Sequence, residues 1–159
     1  MDFCVAMLEE AKAKMKASAS SGVRITFEQA DCHRLPLPDA SVDAITIAFG
    51  LRNLEDRAKG LQEMERVLRP GGCLFVLEFS QPYGWMRPFY YFYLRNIIPI
   101  VSGWITGDRQ AYRYLSDSVS AFPDRNELSK EIKESGFRSV SAVALTASIV
   151  AIHQARKSS

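Results

Sequence analysis

The sequence predicts an α/β fold in which helices wrap a parallel sheet. Residues 44–49 and 73–79 are two apolar runs with little of the alternation of a half-exposed strand, which is typical of strands buried on both faces of a sheet. Residues 55–68 between them repeat apolar side chains at helical spacing, and the sequence RPGG that follows is a stop signal. Because a helical crossover joins parallel strands, these three segments predict a β-α-β unit.

A helix, a strand and a loop are predicted before the first buried run. Residues 3–17 place their apolar side chains on one stripe and most of their charges outside it, which indicates a helix. Residues 23–29 alternate apolar and polar side chains and predict a half-exposed strand. Residues 30–39 contain two prolines and are expected to form a loop.

The second half of the chain is predicted to add helices and an antiparallel strand pair. Residues 84–122 combine an aromatic-rich stretch with a short helical segment, and we interpret them as a helical insertion over the carboxyl edge of the sheet, within one domain spanning 1–159. Residues 124–135 predict a further helix. Residues 140–145 and 149–153 predict two strands, and the three residues between them are too few for a parallel crossover, so the strands should pair antiparallel.

Composition and charge exclude several classes of function. The 20 basic and 18 acidic residues give a formal net charge of +2, whereas a nucleic-acid surface would show clustered Lys and Arg. Cys4, Cys32 and Cys73 form no CxxC pair and only two histidines accompany them, so we expect neither a disulfide framework nor a metal site, and a reducing, cytoplasmic compartment. We expect no signal peptide. The most apolar stretch, 88–105, is interrupted by polar residues, and a membrane span needs about 20 largely apolar ones.

The candidate functional residues follow the first buried run. Leu51, Arg52 and Asn53 come directly after residue Gly50, which ends that run. Open α/β sheets bind their ligands at the carboxyl ends of their strands. The sequence therefore predicts a site at this edge, with a guanidinium and a carboxamide in it.

Five motifs carry a resemblance to a known family. The sequences AFGLRN, ERVLRPGG, LEFSQP, YRYL and TASIVAIH occur in this order. With this spacing, nearly the whole chain resembles the ubiquinone/menaquinone biosynthesis C-methyltransferase family. The resemblance implies a Rossmann-like methyltransferase sheet of seven strands. It also implies that S-adenosyl-L-methionine methylates a ring carbon of a polyprenylated quinol, either a benzoquinol or a naphthoquinol.

The resemblance implies three cofactor-binding residues. Asp2 matches the acidic residue that accepts hydrogen bonds from both ribose hydroxyls. A helix N-cap is an equally good interpretation of Asp2 from the letters alone. Asp31 matches the residue whose carboxylate binds the adenine amino group, with the backbone N–H of Cys32 facing a ring nitrogen; without the family, Asp31 would be a solvated loop aspartate.

Arg52 and Asn53 match the position of the catalytic site. Carbon methylation needs the ring hydroxyl to lose its proton, and a fixed cation nearby stabilises the resulting phenolate. Arginine stays protonated, so we assign Arg52 electrostatic activation and Asn53 orientation of the substrate. The alternative is that Arg52 forms an ion pair with Glu55 or Asp56 at the start of the next helix.

Further aromatic residues match the substrate side. Tyr112 and Tyr114 of YRYL are expected to line the quinol pocket, although aromatic residues of a helix also serve as core. The aromatic stretch within 84–122 is either core or an apolar groove for the polyprenyl tail that touches the membrane surface peripherally. His153, at the end of TASIVAIH, is expected to be a hydrogen-bonded structural residue.

The sequence also departs from the family. A first strand, a glycine-rich loop and a helix precede the position of Asp2 in the family, so we interpret this sequence as an N-terminally truncated member that lacks them. Cys32 and His33 replace a small and an acidic residue. The edge of the strand at 44–49 would then be unpaired and apolar, which predicts instability or homo-oligomers, and a monomer that melts cooperatively would contradict this. A non-catalytic binding module is the alternative to an enzyme.

Overall fold

A parallel strand pair joined by a helix forms the centre of the computed structural model, which describes residues 1–17, 24–97 and 109–159. The strands are Val42–Ala48 (β1) and Leu68–Phe79 (β2), and Arg57–Val67 (α2) crosses between them. The predicted β-α-β unit is confirmed. Asp56 caps α2 by accepting a hydrogen bond from the backbone N–H of Lys59 at 2.9 Å, which satisfies a donor of the first turn.

An antiparallel pair completes a four-stranded sheet. The strands Ser139–Leu145 (β3) and Val150–Arg156 (β4) pair antiparallel, and β4 also pairs antiparallel with β2. The order of the described strands is therefore β1-β2-β4-β3. This mixed α/β sheet and its C-terminal antiparallel pair agree with the sequence prediction.

The other helices are Val5–Ala17 (α1), Arg87–Phe92 (α3), Arg109–Ala121 (α4) and Arg125–Glu134 (α5). A π-helical turn, Tyr93–Ile97, follows α3. Asp124 and Glu127 form a capping box at the start of α5, in which each side chain accepts a hydrogen bond from the other residue's backbone N–H. The chain therefore starts this helix where the sequence predicted it.

The core lies between one face of the sheet and the helices α2 and α5. Leu61 and Met64 of α2 and Leu128 and Ile132 of α5 are buried with side chains of β2. His153 of β4 is buried in the same layer, where its Nε2 bonds the carbonyl oxygen of Arg125 at 2.9 Å. Burial lowers the pKa of His153, so this histidine is a neutral structural residue, as predicted.

The expectation that residues 44–49 are buried on both faces is wrong. Ala44, Thr46 and Ala48 are exposed, while Ile45 and Ile47 are half-buried against the core. β1 pairs with β2 and lies at the edge of the described sheet, and helices cover its inner face. The apolar composition of β1 comes from Ile45 and Ile47 on its inner face and from small side chains on its outer face. Self-association through this edge stays a prediction.

The predicted strand at 23–29 is also wrong for its described residues, 24–29. They form only an isolated parallel bridge between Asp2 and Gln29. The backbone N–H of Asp2 donates to the Glu28 carbonyl at 3.2 Å, and that of Ala30 donates to the Asp2 carbonyl at 3.1 Å. Alternation alone does not make a strand, because a ladder needs a continuous partner.

Candidate active site

The end of β1 turns sharply into the segment that carries Arg52 and Asn53. Phe49 has a positive φ of 53°, a left-handed conformation that is rare for a residue of this size. Leu51 follows in a short 3-10 turn, Leu51–Asn53, and its side chain is completely buried in the core. This anchor holds Arg52 and Asn53 at the carboxyl edge of the sheet.

Arg52 forms a buried ion pair with Glu78, the penultimate residue of β2. Its Nη1 donates to Glu78 Oε1 at 2.8 Å, and its backbone N–H donates to Oε2 at 3.3 Å. The same Nη1 also donates to the carbonyl oxygen of Phe49 at 2.6 Å. The alternative expectation, a pair with Glu55 or Asp56, is therefore wrong.

The register of the two strands explains this pairing. Ala48 of β1 lies opposite Leu77 of β2, so Glu78 sits one residue beyond the last pair, beside the turn that carries Arg52. Glu78 is completely buried, whereas the Arg52 side chain is 12% exposed. The guanidinium carbon also lies 5.1 Å from the centre of the Phe79 ring. The positive end of the pair therefore faces outward and the negative end lies in the sheet.

A cavity of about 580 Å³ at this edge collects most of the predicted site residues. Asp2, Asp31 and Cys32 line it together with Gly50 and Asn53. Thr46, Ile47 and Ala48 of β1 form part of its wall. Among the described residues that line the cavity, Asn53 is present, but Arg52, its neighbour in the chain, is not.

Asp2 closes a turn just before α1 and also lines the cavity. Its Oδ1 accepts a hydrogen bond from the backbone N–H of Cys4 at 2.8 Å, just before α1 begins. Its second carboxylate oxygen is not used in this contact. The N-cap interpretation of Asp2 is therefore wrong, because the first helical hydrogen bond runs from the Leu8 N–H to the Cys4 carbonyl, which makes Cys4 the N-cap residue. Ribose binding by Asp2 stays a prediction.

Asp31 is held by His33. Asp31 Oδ1 accepts from the backbone N–H of His33 at 2.8 Å and contacts the ring Nδ1 at 2.7 Å. The backbone hydrogen bond, followed by the ring hydrogen bond, lowers the pKa of Asp31, so its carboxylate is ionised at neutral pH. Burial, with a smaller contribution from Asp31, raises the pKa of the neighbouring Cys32 thiol.

Tyr114 of α4 contacts the predicted catalytic segment. Its hydroxyl donates to Asn53 Oδ1 at 3.2 Å, and the residue is 60% exposed, so Tyr114 is not a core residue. Gln81, just after β2, donates to the carbonyl oxygens of Val119 and Phe122 at 3.1 and 2.8 Å, which ties the end of α4 to the same edge. Tyr112 lies in α4, but its side chain is outside the described part of the chain.

Comparison with protein-family models identifies the chain. Residues 1–157 match the model of the ubiE/COQ5 methyltransferase family. The chain belongs to this family. The family resemblance predicted from the five motifs is therefore confirmed.

Curated relatives in the ubiE/COQ5 family are longer than this chain. The ubiquinone/menaquinone biosynthesis C-methyltransferase UbiE of Haemophilus ducreyi is 41% identical over 157 residues, which covers 98% of this chain and 60% of that protein. The protein of the same name from Geotalea daltonii is 39% identical over 158 residues, covering 99% of this chain and 66% of the relative. The chain thus spans about 60 to 66% of these two relatives.

Solved structures of methyltransferases share the fold. A methyltransferase from Methanosarcina mazei, described as SAM-dependent, matches with a TM-score of 0.67 and 18% identity, covering 99% of this chain and 80% of that one. One from Aquifex aeolicus, with the same description, matches with a TM-score of 0.63 and 19% identity, covering 97% and 65%. At these identities the likeness concerns the fold, which is the methyltransferase sheet expected of the ubiE/COQ5 family. No helix within the described ranges is long and apolar enough to cross a membrane.

Sequence reasoning missed two residues of the candidate site, Glu78 and His33. Glu78 lies inside an apolar strand, in the motif LEFSQP, and a carboxylate in such a strand needs a partner. That signal was present, but the identity of the partner depends on strand register. His33 was noticed only as a departure from the family pattern, and its contact with Asp31 becomes visible in three dimensions.

We predict that Glu78→Ala lowers the free energy of unfolding by about 3–5 kcal/mol, because it leaves the mostly buried Arg52 cation without its partner. Glu78→Gln should cost less, since an amide oxygen still accepts from the guanidinium. Urea unfolding measures both. The control is Asp43→Ala, which removes the exposed partner of Arg69 and should cost about 1 kcal/mol or less. Equal losses for Glu78→Ala and Asp43→Ala would contradict a stabilising role of the buried pair.

Proposed function

We propose that this protein is an S-adenosyl-L-methionine-dependent C-methyltransferase of respiratory quinone biosynthesis, acting on a polyprenylated quinol. The observation that carries the proposal is one cavity lined by Asp2, Asp31, Cys32 and Asn53, next to the turn in which Arg52 pairs with Glu78. The names of the UbiE relatives support the same reaction and substrate class. Since this chain spans only part of their length, its own activity needs direct measurement.

The acidic side of the cavity suits the adenosyl half of the cofactor. Asp31 offers an ionised carboxylate to the adenine amino group, the Cys32 backbone N–H would face a ring nitrogen, and Asp2 offers acceptors to the ribose hydroxyls. When bound, the cofactor supplies an electrophilic methyl group. The roles of these three residues are to hold and orient it.

The residues at the end of β1 suit a quinol ring. The ring hydroxyl must give its proton to solvent water so that the electron pair left on its oxygen can raise the electron density of the neighbouring ring carbon. The positive end of the Arg52–Glu78 pair faces outward and would stabilise the phenolate, as preorganised dipoles do. Because the pair is neutral overall, Arg52 acts as one end of a dipole, and Asn53 with Tyr114 would orient the ring. The predicted substrate-side role of Tyr112 and of the insertion at 84–122 stays part of the proposal; residues 98–108 and the Tyr112 side chain lie outside the described part of the chain.

We predict that S-adenosylhomocysteine binds saturably to this protein in calorimetric titration. Asp31→Ala should weaken binding about tenfold or more, because a hydrogen bond to a charged group is lost. Since the pKa of Asp31 is lowered, the affinity should change little as the pH falls from about 7 to about 5. Asp43→Ala, which removes an exposed carboxylate on β1 that does not line the cavity, serves as the control.

Failure of a folded sample to bind S-adenosylhomocysteine would contradict the proposed enzyme. A non-catalytic binding module would then be the better description of the chain. Binding that is indifferent to Asp31→Ala would contradict the assignment of the adenine end.

The role of Arg52 is tested with a nitro-substituted naphthol whose phenolate absorbs visible light. We predict that the bound naphthol has a lower pKa than the free one. The double variant Arg52→Gln with Glu78→Gln should raise the bound pKa by about one unit, because it removes the charges but keeps a hydrogen-bonded pair. The matched control neutralises an exposed pair, Arg69→Gln with Asp43→Asn. A bound pKa that is the same in both double variants would contradict electrostatic activation.

We further propose that the protein is cytoplasmic and that α3 and the turn after it contact the surface of the membrane. Trp85, Phe89 and Phe92 are 69%, 72% and 62% exposed, and Arg87 and Arg95 are exposed among them. Aromatic rings interleaved with cations suit the interface of an anionic bilayer. This contact would also bring the apolar tail of a quinol close to the cavity.

We predict that the protein cosediments with vesicles containing about one quarter anionic lipid. Phe89→Ser with Phe92→Ser should weaken this binding about tenfold, because two large apolar side chains are lost from the interface. Val143→Ser removes a 60% exposed apolar side chain on β3 and is the control. Vesicle binding that is absent, or lowered equally by the control, would contradict the membrane contact.

A further inference from the structure

The imidazole ring of His33 connects Asp31 to the beginning of α2. The backbone N–H of Asp56 lies 3.3 Å from His33 Nε2 and donates to it, so Nε2 carries the lone pair. In the neutral ring the proton is then on Nδ1, which donates to Asp31 Oδ1 at 2.7 Å. The two contacts determine both the orientation and the tautomer of the ring.

These contacts leave Asp31 with one free carboxylate oxygen. Oδ1 receives two hydrogen bonds from His33, one from its backbone N–H at 2.8 Å and one from its ring. Asp31 is exposed and lies in a loop, where an unrestrained carboxylate would rotate among several orientations. With Oδ1 engaged, the second oxygen has a defined direction.

The segment that His33 contacts, just before α2, also lines the cavity. Asp56 is the N-cap of α2, and Asn53, Leu54 and Glu55 just before it line the same cavity as Asp31. His33, which also lines the cavity, therefore ties the loop that carries Asp31 to the segment 53–55.

We propose that His33 is a positioning residue that makes the site selective for a 6-aminopurine over a 6-oxopurine. The inference rests on the proposed function, because it assumes that Asp31 faces the adenine of the cofactor. An oriented carboxylate accepts a hydrogen bond from an amino group and meets the 6-oxo group of hypoxanthine as a second acceptor. Without the ring contact, only the backbone N–H of residue 33 holds Oδ1, so the carboxylate rotates more widely and this distinction weakens.

The test compares S-adenosylhomocysteine with S-inosylhomocysteine by calorimetry in two variants of the full chain. His33→Asn keeps an N–H near the position of Nδ1, so it can still donate to Asp31. His33→Gln offers an acceptor near Nε2 for Asp56 but no ring donor to Asp31. We expect the wild type and His33→Asn to prefer the adenine compound about tenfold or more, and His33→Gln to bind the two compounds within about threefold. Melting temperatures of both variants show that they are folded.

Preference is the informative quantity because a merely structural loss would weaken both compounds equally. If His33→Gln keeps the wild-type preference, or if the two variants behave alike, the proposal is overturned while the cofactor site stands. If the wild type itself binds neither compound, both the proposed function and the role of His33 are contradicted. Loss of preference in His33→Gln alone supports the proposal.

Discussion

The buried ion pair between Arg52 and Glu78 is the constraint on which the carboxyl edge of the sheet depends. A buried carboxylate is tolerated only when its lone pairs are used, and Glu78 accepts from the backbone and guanidinium of Arg52 and from the backbone N–H of Phe79 at 2.9 Å. Arg52 in turn reaches back to the Phe49 carbonyl, which the left-handed conformation of Phe49 places within reach. The turn after β1 thus places Arg52 where it can hydrogen-bond and neutralise the buried Glu78 carboxylate of β2.

Two groups of side chains with different chemistry meet at this edge of the sheet. On one side, His33 holds the Asp31 carboxylate, and Asp2, whose side chain accepts from the Cys4 N–H just before α1, lines the same cavity. On the other, Asn53 is held by the turn below it and by Tyr114 of α4. Because each half is tied to a different part of the chain, the geometry of the cavity depends on the loop from 30 to 39, on β1 and on α4 together.

The features predicted well from the sequence are those determined by local patterns. The β-α-β unit, the capped start of α5 and the antiparallel C-terminal pair all follow from periodicity, caps and short connections. Burial of 44–49 and the strand at 24–29 were predicted wrongly, because both depend on which other segments lie alongside. The candidates Asp31, Arg52 and Asn53 came from the family resemblance and their roles stay proposals, whereas the partners Glu78 and His33 required strand register and loop geometry.

Among the described residues, the outer face of the sheet is largely exposed, which has a thermodynamic consequence. Ala48, Leu77, Ile152 and Val143 lie opposite one another on its outer face, and all but the half-buried Leu77 are exposed. Unfolding therefore transfers less apolar surface to water than it would in a chain of equal length with helices on both faces. Since the heat-capacity increment and the denaturant dependence both scale with that surface, the stability of this fold should vary with temperature along a flatter curve.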